Sequence, residues 1–185
     1  MVLEITFVHK KRYVMDQTTS LVAPPFFQRY IAHVKEADLK LAFAHQMPAA
    51  EIFFRSISEE FSKRKYAPGK WSIKGVMQHI IDTERVFTYR AVCFARREQQ
   101  ILPPFDENQY AMYSGANDRA WENLVGEWVA VRKSTEYLFN SFPDEALFIV
   151  GKASDYLVSV VALGFVTVGH VDHHIRIIQE RYIGV

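Results

Sequence analysis

The chain has 185 residues, of which 22 are lysine or arginine and 21 are aspartate or glutamate, so its formal net charge is only +1. A chain of this length can bury a sizeable hydrophobic core within one domain. Because the charges nearly cancel and no stretch of like charge occurs, we expect neither nucleic acid nor an anionic membrane surface as a partner.

The first 14 residues, MVLEITFVHKKRYV, place their charges after the apolar part and lack a small-residue cleavage site, unlike a secretion signal. We interpret residues 1–14 as an arm outside the core, with translation starting at Met15, and residues 15–185 as one domain. No apolar segment approaches the ~20 residues of a membrane span. The single cysteine, Cys93, excludes an internal disulfide and a cysteine-based zinc site, which is consistent with a cytoplasmic location.

Two segments with helical spacing follow the arm. PPFFQRYIAHV predicts a short leading helix, because prolines are tolerated at a helix entrance. PAAEIFFRSISEEFSKRK also begins with a proline, Pro48, and carries Ile52, Phe53, Ile57 and Phe61 at helical spacing. It therefore predicts a long helix that begins at Pro48.

The best-marked helix lies in YAPGKWSIKGVMQHIIDTERVFTYRAVCFARRE. Pro68 and Gly69 predict a turn, and Ser72 is suited to cap the helix that follows. Trp71 and Val76 then stand at the two positions of a hydrophobic staple. These signals together predict a second long helix that starts after Ser72.

Two more helical segments complete the pattern. The turn-forming residues of LPPFDENQYAMYSGAND predict a loop, and RAWENLVGEWVAVRKSTEYLFNSF then predicts a third long helix. FPDEALFIVGKASDYLVSV predicts a second break in the helical pattern. The segment from about 157 to 182 predicts a final helix that is mostly apolar. We expect an all-α fold, a four-helix bundle with a short additional N-terminal helix.

The final helix contains three histidines within TVGHVDHHIRIIQERY. At about 100° per residue, His174 lies roughly 40° from His170 within an apolar arc, whereas His173 lies near 300°, towards the charged side. A lone buried histidine is more often a hydrogen-bonded core residue, but two at i, i+4 on an apolar face can converge on one ion. Pairing His170 with His173 instead would leave His174 without a partner in the apolar arc, which is costly.

A third ligand should come from another helix. His9, His33 and His45 lie in the arm or the first helical region, whereas His79 lies in the best-marked helix. His79 is therefore the strongest candidate. The residues between the paired histidines lack the glutamate of the H-E-x-x-H motif, which argues against a zinc peptidase.

Three other residues of the His79 helix are candidates for chemistry. Cys93 lies more than two turns past His79, and we interpret it as a core residue. Glu84 could act as an acid or base or orient the site, or it could be a solvated boundary carboxylate. Arg90 projects about 20° from His79 and could hold a carboxylate of a substrate or thiol, the alternative being a structural ion pair.

Three segments together resemble the DinB superfamily, most closely its YfiT-like group named as metal-dependent hydrolases. They are the YAPGKW…CFAR segment, the LPPFD loop and GHVDHHIRIIQERY, and the similarity extends from about residue 25 to the end. The resemblance implies a four-helix bundle that holds a divalent metal, often nickel or zinc. It also implies that His79, His170 and His174 are the ligands. The family pattern has a histidine at the position of His173 as well, but that histidine is not taken as a ligand.

The resemblance leaves the reaction open, because some relatives are thiol transferases that use bacillithiol, mycothiol or glutathione. We expect a metal-dependent enzyme that transfers a low-molecular-weight thiol to small electrophiles or hydrolyses a small substrate. The alternative is a non-catalytic, metal-binding or stress-associated bundle. We also expect a small-molecule substrate and a homodimer.

Overall fold

The computed structural model describes residues 21–184, so the expected arm at residues 1–14 and the start at Met15 lie outside the described residues. Helices dominate this part of the chain. They are α1 (Pro25–Ile31), α2 (Leu39–Arg55), α3 (Glu59–Ser62), α4 (Ile73–Ala95), α5 (Glu107–Tyr113), α6 (Trp121–Ser141), α7 (Asp144–Leu147) and α8 (Val160–Ile177). A 3-10 turn at Ala116–Asp118 precedes α6, and a π-helix at Ile178–Ile183 continues α8.

The four long helices, α2, α4, α6 and α8, form a bundle, which confirms the expected all-α class. Both α2 and α4 pack against α6 and against α8. Therefore α2 lies across the bundle from α4, and α6 lies across it from α8. The short leading helix α1 packs against α8. No helix between residues 21 and 184 is long and apolar enough to cross a membrane.

The expected start of the first long helix at Pro48 is wrong, because α2 begins nine residues earlier, at Leu39. The Asp38 side chain caps it, with Oδ1 accepting from the backbone N–H of Lys40 at 2.8 Å and of Leu41 at 3.0 Å. Pro48 lies inside the helix, where a proline removes one backbone hydrogen bond. The packing of α2 against α6 and α8 offsets this loss.

The start of α4 agrees with the sequence. Ser72 is the N-cap, and its Oγ accepts from the backbone N–H of Gly75 at 3.1 Å. The same hydroxyl donates to Oδ1 of Asn117 at 2.6 Å, which fixes the loop before α6 against the beginning of α4. Trp71 and Val76 belong to one hydrophobic cluster, as the predicted staple requires.

The sequence did not predict the β-hairpin that precedes α8. Strand β1 (Val150–Ala153) pairs antiparallel with β2 (Tyr156–Ser159). Ser159 ends β2 and caps α8, since its Oγ accepts from the backbone N–H of Ala162 at 3.3 Å. The final α-helix therefore begins at Val160 rather than at about residue 157.

A buried polar network joins all four long helices. Arg132 of α6 is 0% exposed and donates from Nε and Nη2 to the two carboxylate oxygens of Glu84 in α4, both at 2.9 Å. Its Nη1 donates to Oε1 of Gln46 in α2, and Nη2 donates to the backbone oxygen of Thr167 in α8 at 3.4 Å. Gln46 in turn donates from Nε2 to Oδ1 of Asp172 at 2.6 Å. Hydrophobic clusters surround this network.

Candidate metal centre

Two adjacent helices bring three histidines together in the bundle. His79 lies in the second turn of α4, and His170 and His174 lie one turn apart in α8. Every residue of α8 from Val160 to Val171 is buried, so His170 is carried into the interior along with its apolar neighbours. The capped start of α4 sets the position of His79 opposite this part of α8, because α4 and α8 pack closely along their lengths.

The Nε2 atoms of the three imidazoles converge. His170 Nε2 lies 3.1 Å from His79 Nε2 and also 3.1 Å from His174 Nε2. One ring nitrogen from each residue falls within 4.8 Å of the other two. Nitrogen ligands about 2.0–2.1 Å from a tetrahedral zinc ion are separated by about 3.3 Å, so the spacing fits three ligands of one ion.

Hydrogen bonds alone do not explain this arrangement. The Nε2 atom of a neutral imidazole carries either one proton or one lone pair. His170 Nε2 therefore cannot form good hydrogen bonds to both His79 and His174 at the same time. A shared cation resolves the conflict, because all three lone pairs can then point at it.

Burial keeps these imidazoles neutral. Desolvation lowers the pKa of His79 to about 4, and it lowers the pKa values of His170 and His174 well below the usual 6.5. The neighbouring imidazoles lower the two pKa values in α8 further. Near pH 7 all three rings are unprotonated and can offer lone pairs, which metal binding requires.

Side chains around the cluster orient and shield it. Thr83 lies one turn after His79, and its Oγ1 is 3.4 Å from His79 Nδ1, where it can accept a hydrogen bond from Nδ1–H and leave the Nε2 lone pair free. The Trp71 ring lies 5.0 Å from the His79 ring, and the Tyr30 ring of α1 lies 5.3 Å from the His170 ring. These aromatic rings limit the access of water to the cluster.

The fourth candidate histidine of this region lies outside the cluster. His173 turns towards α1, where its ring stacks on His33 at 5.8 Å and meets the Tyr30 ring edge-on at 5.2 Å. It is half-buried against α1. His45 forms an exposed pair with Glu36 at 3.1 Å. His9 lies outside the described residues.

The other three candidates of α4 have different surroundings. Glu84 is 2% exposed, and both of its oxygens accept from Arg132, so it is neither a solvated carboxylate nor a free base. Arg90 is 8% exposed and donates from Nη2 to the backbone oxygen of Pro103 at 2.9 Å. Cys93 is half-buried against the core.

The cluster borders two pockets. One, of about 310 Å³, is called the arginine pocket here; its lining includes His170, Arg29, Arg90, Phe27, Phe87 and Phe105. The other, of about 300 Å³, is called the tyrosine pocket; its lining includes His174, Tyr66, Trp71, Asn108 and Tyr182.

Sequence reasoning missed three residues of this site. Thr83 shares the helix face of His79 at i+4, so the helical spacing could have identified it. Tyr30 and Arg29 belong to α1, and no sequence signal shows that α1 packs over the histidines of α8.

Fold and site together define a four-helix bundle with a three-histidine cluster between two of its helices. The chain belongs to the DinB superfamily, whose family model matches residues 29–178. YfiT from Bacillus subtilis, described as a probable metal-dependent hydrolase with an unusual four-helix bundle topology, has a similar fold, with a TM-score of 0.66 and 14% sequence identity. The similarity covers 88% of this chain and 89% of that chain. A comparison with curated proteins gave no match.

Proposed function

We propose that this protein is a metal-dependent enzyme that transfers a low-molecular-weight thiol, such as bacillithiol, to small electrophilic molecules. The convergence of the Nε2 atoms of His79, His170 and His174 supports the proposal, since the three nitrogens could hold one metal ion and imidazole ligands suit nickel and zinc. The similarity in fold to YfiT, described as a probable metal-dependent hydrolase, supports the metal dependence.

Three histidine ligands leave positions open for an exogenous ligand, which is typical of catalytic rather than structural sites. A divalent ion bound there would lower the pKa of a water molecule or a thiol at an open position. The protein's own residues have supporting roles: Thr83 holds the His79 tautomer, while Trp71 and Tyr30 restrict access of bulk water.

The nucleophile in this proposal comes from outside the protein. Cys93 is the only cysteine of the chain, and it lines neither the arginine pocket nor the tyrosine pocket. Glu84 is held by Arg132 and is not a free base. Two separate pockets beside the cluster favour a reaction with two substrates, which supports thiol transfer, with hydrolysis as the close variant.

Elemental analysis and an assay of thiol conjugation test the proposal. We expect stoichiometric nickel or zinc in protein purified without an affinity tag, and metal-dependent conjugation of bacillithiol or a related thiol to a soft electrophile. Cys93→Ala should retain the activity, and His79→Ala should lose it together with the metal, because one of three ligands is removed.

Two results would contradict thiol transfer. Metal-dependent turnover of an ester or amide, without conjugation of any thiol, would identify a hydrolase. Substoichiometric metal, together with a melting temperature that chelation does not change, would favour the non-catalytic bundle. A homodimer and a cytoplasmic location stay predictions, which light scattering and cell fractionation would check.

A further inference from the structure

The arginine pocket is lined by two arginines as well as by a histidine of the cluster. Arg90 enters from α4 and Arg29 from α1, and His170 lines the same pocket. Glu107, at the exposed start of α5, is the acidic residue of the lining. It forms no ion pair with either arginine in the described part of the chain, so the two positive charges exceed the one negative charge.

Arg90 differs from the other buried arginine in the absence of a counter-ion. Arg132 is neutralised by both oxygens of Glu84. Arg90 is also buried, at 8% exposure, but its described hydrogen bond goes to the neutral backbone oxygen of Pro103, and no carboxylate lies within ion-pair distance among residues 21–184. A buried charge without a partner is costly. An anion that enters the pocket would supply the missing partner.

Arg29 of α1 supports the same conclusion. Its Nη2 donates to the Tyr30 hydroxyl at 2.7 Å, and its Cζ lies 4.7 Å from the centre of the Tyr30 ring. These contacts hold the guanidinium at the pocket without neutralising it, since neither partner carries a negative charge. The remaining N–H groups can therefore bind an anion.

The lining also carries several apolar aromatic side chains beside polar residues such as Thr83 and Ser154. Phe27 and Phe87 are buried core residues, and Phe105 lies on the loop before α5, with its ring centre 5.8 Å from Cζ of Arg90. A volume of about 310 Å³ is at the small end of the range for ligand pockets. The shape and chemistry of the pocket therefore suit a small molecule with one anionic group and an apolar ring.

We propose that the arginine pocket binds the carboxylate of a small reactant through Arg90 and Arg29, with its apolar body against Phe27, Phe87 and Phe105 and its reactive end towards His170. The inference rests on the proposed function, because it names the class of molecule that would react at the histidine cluster. The carboxylate belongs either to the electrophile or to the thiol. In both cases the two arginines would bind the same chemical group, a carboxylate.

Calorimetric binding of matched probes tests the proposal, with metal-loaded and with chelated protein. The probes are 3-phenylpropionate against 3-phenylpropanamide for the electrophile, and N-acetylcysteine against its amide for the thiol. We expect at least one acid to bind roughly tenfold to a hundredfold more tightly than its amide, because a charge-assisted hydrogen bond is worth about 1.5–3 kcal/mol. The acid that shows this preference identifies the reactant that carries the carboxylate.

Variants of single arginines test whether the preference for the acid comes from this pocket or from the general charge of the protein. Arg90→Gln should remove the preference for the acid, and Arg29→Gln should weaken it, while binding of the amide stays unchanged. Arg96→Gln is the matched control, because Arg96 is the exposed C-cap of the same helix and lines neither pocket. Arg29 is exposed, so its variant keeps the test valid if Arg90→Gln fails to fold.

Two outcomes would overturn the inference: equal binding of both acids and their amides, or a preference that survives in Arg90→Gln and Arg29→Gln. A preference that disappears on chelation but not in the arginine variants would place the carboxylate on the metal and would also refute it. A preference that persists without metal supports the pocket even if the protein has no metal-dependent activity.

Discussion

At the scale of single residues, His173 and His174 are neighbours in sequence but have different surroundings. His174 Nε2 meets His170 Nε2 at 3.1 Å, whereas His173 stacks on His33 beside α1. We therefore expect His174→Ala to lower metal content severely and His173→Ala to leave it largely intact. Elemental analysis of both variants, purified in parallel with the unmodified protein, provides the measurement. Equal metal loss from the two variants would contradict this ligand set.

The buried pair of Glu84 and Arg132 gives a second prediction. Glu84→Gln should lower the free energy of unfolding by about 3–5 kcal/mol, because it leaves the Arg132 charge buried without a counter-ion. Metal content should stay the same, since Glu84 is not part of the histidine cluster. Urea denaturation and elemental analysis measure the two effects.

A double variant is the control for this pair. Glu84→Leu combined with Arg132→Met removes both charges and should be less destabilised than Glu84→Gln alone. Loss of metal in Glu84→Gln at unchanged stability would instead return Glu84 to the site as an acid, a base or an orienting residue.

Some residues of the site could be predicted from the sequence, and others could not. The spacing of His170 and His174 on an apolar face, and the position of His79 in a well-capped helix, follow from helical geometry alone. The pairing of Glu84 with Arg132 could not be predicted in this way, because Arg132 lies 48 residues further along the chain and on another helix. A carboxylate that looks solvated on a helical wheel is buried when a distant cation faces it.

At the scale of secondary-structure elements, α1 lies directly on the backbone of α8 at Gly169. A Cβ atom at Gly169 would stand 1.9 Å from the backbone oxygen of Tyr30. Gly169→Ala should therefore displace α1, which carries Arg29 and Tyr30, and lower the melting temperature. Thermal unfolding measures this effect, and weaker binding of the carboxylate probe should accompany it.

Gly126, within α6, is the matched control, because a Cβ atom there would meet nothing within 4 Å. Gly126→Ala should stabilise the protein by up to about 1 kcal/mol, since alanine has the higher helix propensity. A Gly169→Ala variant as stable as the unmodified protein would show that α1 does not depend on this close approach.

The sequence was a poor guide where tertiary packing overrides a local signal. Pro48 suggested a helix start, yet α2 begins nine residues earlier at Leu39, is capped by Asp38, and is held together through the proline by buried side chains such as Phe43. The hairpin before α8 was missed because β1 and β2 contain only four residues each, too few for a clear alternation.

At the scale of the whole molecule, the buried histidines make stability depend on pH. In metal-free protein the folded pKa of His79 is about 4, and those of His170 and His174 are also lowered, whereas unfolded histidine titrates near 6.5. The unfolded chain therefore binds protons that the folded protein excludes as the pH falls below about 6.5. For His79 alone, the loss at pH 5 is about 2 kcal/mol.

Urea denaturation after metal removal, at pH 7 and at pH 5, measures this loss. We expect the free energy of unfolding to be constant above about pH 7 and to fall between pH 6.5 and pH 5. His79→Gln should show a smaller fall, because one of the three imidazoles is absent. A free energy of unfolding that is equal at pH 5 and pH 7 would contradict the burial of neutral imidazoles.

The class of fold was predictable from the sequence, but the arrangement of the helices was not. Apolar periodicity indicates how many long helices exist and which of their faces are buried. It does not indicate that α2 and α4 lie across the bundle from each other, or that α1 covers α8. Those relations depend on contacts between residues far apart in the chain, such as Gln46 with Asp172.

The contacts of Arg132 with the other three long helices also limit how the helices can slide. A shift of α4 by one turn, about 5.4 Å, would separate Glu84 from the guanidinium and leave two opposite charges unpaired in the core. Because the same alignment places His79 opposite His170, the pairing of Arg132 with Glu84 adds to the helix packing that sets the register of the histidine cluster.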